Sequence, residues 1–204
     1  MMKVLVVTGG IGSGKSEVCR IMSSLGLDLQ YDADRRVKRL YEEHPSLLDD
    51  IQSKLGCCLR DDAGVFMPSK LADVIFADGD ALRLVESLVF PALIDDFNDF
   101  CARNNGYGYV VFESATILEK PQFDGFGDLV ILVDAPFEVR LQRACMRDNA
   151  DRDKVLARMS NQILMNALSE GLTDPRIDVV IKNDGNIEEL ENNVKLMLET
   201  IVEN

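Results

Sequence analysis

The sequence predicts an α/β fold with a mostly parallel sheet, and three observations carry that prediction. Four short apolar runs, KVLVV (3–7), YVVF (109–112), LVILV (129–133) and DVVI (178–181), have the unbroken character of strands buried on both faces. Segments of helical period follow several of them, as parallel strands joined by crossovers require. The first run passes into four glycines within six positions, Gly9, Gly10, Gly12 and Gly14, ahead of an amphipathic segment.

Taken in order, the first helix is marked by Val18, Ile21, Met22 and Leu25 at i, i+3, i+4 and i+7, closed by Gly26. A weaker alternating piece, LDLQY (27–31), predicts a second strand. From 35 to about 108 no comparable strand appears. Helical spacing there, such as Leu93, Ile94, Phe97, Phe100 and Cys101 after Pro91, predicts a helical insertion. Pro136 suits the first turn of a helix carrying Val139, Leu141 and Cys145 at less regular spacing. Arginines crowd residues 140–160, at Arg140, Arg143, Arg147, Arg152 and Arg158, so this stretch is expected to lie over a surface or a ligand. The last helix carries Ile187, Leu190, Val194, Met197 and Ile201, opened by Asn186 with Glu189 three residues on. One domain is expected over 1–204, with a core from 1–34, 109–139 and 166–204, the insertion at 35–108 and a mobile cover at 140–165.

Composition bounds the function classes. With 47% hydrophobic and 28% charged residues, and no apolar run near the roughly 20 residues of a membrane span, a soluble protein is expected. The opening MMKVLVV is too short for a secretory leader and reads as a strand. A net charge of -13 repels nucleic acid and anionic membranes at long range, so neither is expected as a partner. Five cysteines without CxxC spacing and a single histidine, His44, suggest neither a disulfide framework nor a zinc site. Reduced thiols in a cytoplasm are the expectation. Oligomeric state is not legible.

The glycine-rich stretch admits two ligands. A dinucleotide fold would use G-x-G-x-x-G, which Gly10-Ile11-Gly12 begins, with Asp32 and Asp34 some twenty residues on. That pattern fails where Lys15 stands in place of the third glycine. The residues from Gly9 to Ser16 satisfy G-x-x-x-x-G-K-[ST] in full. Glycines let successive amides turn toward phosphate oxygens, and the helix N-terminus behind them favours negative charge. Lys15 supplies a mobile cation for the β- and γ-phosphates, and Ser16 offers a hard oxygen to magnesium.

A phosphate loop alone does not separate switches from kinases. A guanine-reading switch would carry Asn-Lys-x-Asp, whereas IKNDG (181–185) inverts the first two positions. A small-molecule kinase needs a base, an acceptor pocket and a cover that excludes water. Asp34, just after the second strand, serves either as that base or as a cap for a helix beginning at Arg35. Arg35, Arg36, Lys38 and Arg39 would meet an anionic acceptor or line a solvated face.

VTGGIGSGKS, then DAD before an apolar helix, then RLQRACMRD, ARMSNQ and VIKNDG in this order resemble the dephospho-CoA kinases across essentially the whole chain. The resemblance implies a three-layer P-loop NTPase fold with a helical acceptor-binding insertion and an arginine-rich lid. It implies transfer from MgATP to the ribose 3'-hydroxyl of dephospho-CoA, giving CoA and ADP. By the same resemblance Asp34 is the base, and Lys15 acts on the phosphates. Gly10, Gly12, Ser13, Gly14, Lys15, Ser16 and Glu17 fall on nucleotide-binding positions, with Glu17 where threonine is usual. Arg143 and Arg147 match lid arginines and Asn183 an adenine contact, while Arg140, Arg152 and Arg158 are expected on solvated lid surface. Phe90-Pro91 stands where His-Pro is common, and ESATILE (113–119) replaces a stretch with Pro-Leu-Leu. Glu113 therefore keeps two readings, a carboxylate behind magnesium or a cap for the next turn. The rival functions are a P-loop kinase for another small acceptor, such as a nucleoside monophosphate, and a nucleotide-dependent switch.

Overall fold

A computed structural model describes residues 2–202. Its contacts divide the chain into two units, one formed by residues up to Asp32 together with those from Asn104 on, the other by Ala33–Arg103.

The first unit holds the sheet. Strands β1 (Lys3–Thr8), β2 (Gln30–Asp32), β3 (Tyr109–Glu113), β4 (Leu129–Asp134) and β5 (Val179–Lys182) lie in the order β2-β3-β1-β4-β5, every pair parallel. β1 is central, which is why its sequence is apolar without alternation: Leu5, Val6 and Val7 are all at most 1% exposed. Leu5 and Val7 face a cluster with Val111, Ile131, Val133 and Ile181, covered by α1 (Lys15–Ser24) through Val18, Ile21 and Met22. The last helix, α9 (Ile187–Val202), adds Leu190 and Val194 to the same cluster. Phe112 alternates to the opposite face, stacked on Tyr31 at 5.4 Å and edge-on to Phe126 at 4.7 Å. The ends of α1 and α9 follow the sequence signals. Gly26 turns the chain after α1 with φ 99°. Asn186 Oδ1 accepts from the Glu189 amide at 3.0 Å to open α9.

Between β4 and β5 run α6 (Phe137–Asp148), α7 (Arg152–Ser160) and α8 (Ile163–Ser169). Leu141, Ala144, Val155 and Met159 bury against one another, and Ile11 of the glycine loop packs on them. This small cluster couples the arginine-rich helices to the loop.

The second unit contains α2 (Ala33–Glu43), α3 (Pro45–Leu55), α4 (Pro68–Ala77) and α5 (Gly79–Arg103). Its core is Leu48, Ile51, Leu59, Leu71, Val85 and Val89. Arg36 joins α2 to α5 through a two-pronged pair with Asp96, both bonds 2.6 Å. Pro91 lies inside α5, which continues through it. Val85, Val89, Leu93 and Phe97 form one buried stripe across the proline, and that packing offsets the amide that proline lacks. Among the described residues no helix is long and apolar enough to cross a membrane.

Candidate active site

The parallel register brings three strand ends together. β1 runs out at Thr8 into the glycine loop, while Glu113 ends β3 beside Val7 and opposite Asp32 of β2. Loop and helix share residues: Gly14 is the N-cap of α1 with φ 97°, and Lys15 and Ser16 form the helix's first turn. A left-handed cap of this kind suits glycine. It points the first amides of α1 outward with the positive end of the helix dipole.

Side chains far away in sequence hold the loop's shape. Gln162, 4% exposed, accepts from the Ile11 amide at 2.7 Å. Asn183, at the end of β5, donates its side-chain amide to the Ser13 carbonyl at 2.7 Å, and its backbone amide bonds Asp134 of β4 at 2.8 Å. A Cβ on Gly14 would collide with that Asn183 amide, so the tie requires glycine there. Ser13 Oγ and Thr8 Oγ1 are buried with no protein partner. The amides of Gly12 and Gly14 meet no acceptor among the described residues, which leaves them free for an anion.

Around this loop the charged groups are specific. Lys15 Nζ folds back to donate to the Gly9 carbonyl at 3.0 Å and the Gly10 carbonyl at 3.5 Å. Ser16 Oγ donates to Glu113 Oε1 at 2.7 Å. Glu113 holds its proton above the usual carboxylate range, chiefly because it is buried. Its bond from Ser16 and the charge of Lys15 pull the other way, and Asp32 adds to the rise. Arg143 donates to the Asn183 carbonyl at 3.0 Å and reaches Asn183 Oδ1 at 3.5 Å. The loop, Asn183 and Arg143 thus form one connected set.

Other expected site residues have local partners or exposures of their own. Glu17 pairs with Arg20 on the outer face of α1, which holds its carboxyl below the usual range. Arg147, 60% exposed, pairs with Asp148, which also receives Arg158. Arg152 pairs with Glu138 at the surface. Asp34 sits exposed in the first turn of α2, which starts at Ala33 and not at Arg35, so it does not occupy the capping position. Arg140 corrects the expectation of solvated lid surface, because it is 1% exposed and among the largest fully buried side chains. It is buried because the face of α6 carrying Leu141 and Ala144 turns inward and takes Arg140 with it. Sequence reasoning also missed Gln162, although it ends the ARMSNQ stretch.

The oxygens at the strand ends suit magnesium. Among the described residues no group of three His, Cys, Asp or Glu could hold a metal. Ser16 and Glu113 offer one hydroxyl and one carboxylate, hard oxygens of the kind this ion accepts.

A central parallel strand that opens into this loop, with its lysine and hydroxyl, defines a P-loop nucleotide-binding protein of the kinase kind. The family model described as "Dephospho-CoA kinase" matches residues 3–189. A dephospho-CoA kinase of Porphyromonas gingivalis is 34% identical over 181 residues, covering 85% of this chain and 84% of that one. The crystal structure of TT1252 from Thermus thermophilus superposes with a TM-score of 0.81 at 27% identity, covering 98% of this chain and 97% of that one. A dephospho-CoA kinase from Campylobacter jejuni shares the fold at 22% identity, with a TM-score of 0.67 over 98% of each chain. The chain belongs to the dephospho-CoA kinase family.

Proposed function

We propose that the protein transfers the γ-phosphoryl group of ATP to the ribose 3'-hydroxyl of dephospho-CoA, giving CoA and ADP. The bond from the γ-phosphorus to the β,γ-bridging oxygen breaks, a bond from the 3'-oxygen to that phosphorus forms, and the hydroxyl proton passes to Asp34. The observation that carries this reading is the set Lys15, Ser16 and Glu113 at the mouth of a loop whose amides at Gly12 and Gly14 await an anion.

Each residue has a role that its chemistry supports. The open amides of Gly12 and Gly14 cradle the phosphates, and Lys15 leaves the Gly9 and Gly10 carbonyls to meet the γ-phosphate. Ser16 and Glu113 would hold magnesium, which would supply neutralisation of the charge on the phosphate oxygens. Asn183 and Arg143 shape the nucleotide side, Arg147 closes over it, and Glu17 remains at the loop's margin. The helical unit receives the acceptor.

A coupled ADP-release assay with a panel of acceptors tests the proposal. ADP formation dependent on dephospho-CoA and absent with nucleoside monophosphates is the expected result. Activity with the monophosphates instead would replace the acceptor, and ATP binding without acceptor-stimulated ADP release would replace the kinase reading by a switch.

A further inference from the structure

Arg140 presents a physical difficulty that the roles above leave unsolved. Its guanidinium is almost wholly buried, yet Nε and Nη1 have no hydrogen-bond partner, and Nη2 reaches only Asn166 Oδ1 at 3.4 Å. The ring of Phe137 lies 5.5 Å away. Asp134 is the carboxylate that acts on Arg140, but it is already engaged by Lys182 Nζ at 2.5 Å and by Ser169 Oγ at 3.2 Å. Burial accordingly loosens the guanidinium's hold on its proton. A buried cation without a dedicated counter-charge costs stability, and a well-packed apolar side chain would commonly serve the fold better.

The position of that charge suggests what it does. A Cβ added to Gly10 would run into Arg140 Nη1, and one added to Gly12 would meet the Arg140 backbone. The guanidinium is therefore pressed against the phosphate loop at Gly10. Lys15 is a mobile cation on the loop, whereas Arg140 is fixed by the packing of α6.

We propose that Arg140 is a positioning residue for the nucleotide's phosphates, a fixed positive charge set against the loop whose missing counter-charge the bound polyphosphate supplies. This rests on the reading that the loop holds a triphosphate. Field from a buried charge passes through a low-dielectric interior with little screening, so its effect grows with the number of phosphate charges bound.

The test compares Arg140→Met, Arg140→Gln and Arg140→Lys with the native protein, measuring dissociation constants for tripolyphosphate, ATP, ADP and adenosine by calorimetry. The ligand-free melting temperature of each is measured alongside. Arg140→Met and Arg140→Gln should weaken ATP and tripolyphosphate by about tenfold or more, ADP by less and adenosine hardly at all. Arg140→Lys should stay within a few-fold of native, and Arg140→Met should melt no lower than native. Affinity and ligand-free stability would thus move independently, which a merely structural arginine cannot produce. Equal losses across all four ligands, or unchanged ATP affinity in both neutral variants, overturns the inference. If Arg140→Met does not fold, the Arg140→Gln and Arg140→Lys pair decides by the same comparison. Lys15→Ala in the same series separates the two readings: if it leaves tripolyphosphate binding intact, the loop itself is not the phosphate site. If it abolishes binding while the neutral Arg140 variants bind normally, only the role of Arg140 fails.

Discussion

Asp34 and Glu113 are both carboxylates near strand ends, but they differ in what surrounds them and in what their removal should do. Asp34 is exposed in the first turn of α2. As the proposed base, Asp34→Asn should lower turnover by roughly 10²- to 10⁴-fold with ATP affinity unchanged, measured by steady-state kinetics beside calorimetry. Near-native turnover would remove it from that role. Glu113 has a proton affinity raised by burial, so folding penalises its charged form. A carboxyl raised in the folded state contributes stability at low pH that is lost as pH rises through its folded value. Glu113→Gln, which still accepts a bond from Ser16, should therefore be at least as stable as native at neutral pH, with the gain vanishing below the ordinary value of 4.5. Urea titrations across pH check the sign. At this scale the loop was legible because its chemistry is local, each glycine, lysine and serine being read within eight residues. Gln162 and Arg140 were not legible, since they touch the loop only through folding, Gln162 from 151 residues away. Arg140's place beside Leu141 on the inward stripe of α6 with Ala144 was the one available signal.

Among the elements, the apolar runs identified the long strands and the glycine and asparagine signals the ends of α1 and α9. The order β2-β3-β1-β4-β5 was not readable, because it is set by crossovers whose partners lie far apart in the chain. That α5 runs on through Pro91 was not readable either, because a buried stripe on both sides of it outweighs local propensity. The α6–α7 pair offers a test of how the arginine-rich helices are held. Asp148 accepts from Arg147 Nε and Arg158 Nη1, each at 2.7 Å, and its carboxyl is pushed down to about 2, first by the bond from Arg147. A depressed carboxyl gives stability present above its ordinary value of 3.8 and lost as pH falls toward 2. Asp148→Asn should be less stable at neutral pH by about 1 kcal/mol or less, since its partners are exposed. Denaturant midpoints of the two proteins should converge as the solution is acidified; a constant gap would mean that the carboxylate's charge is not the cause.

For the molecule entire, charge is the dominant global property. A net charge of -13 repels itself most strongly in the compact state, and salt screens that repulsion over a Debye length of about 10 Å at 0.1 M. The melting temperature should rise as potassium chloride is increased from roughly 0.02 M to 0.3 M, and a fall over that range would show that local ion pairs outweigh the global term. Under the proposed function the same acidity makes the few cations at the loop matter more, because Lys15, Arg140 and Arg143 would hold an anionic ligand against the field of the rest.

The tie from Asn183 to the Ser13 carbonyl spans 170 positions of the chain. The glycine-rich stretch is synthesised well before the side chain that braces it. A nascent chain that stops short of Asn183 therefore lacks this brace on the loop. Under the proposed function, a cradle braced for ATP exists only once β5 has joined the sheet edge and brought its asparagine to the loop.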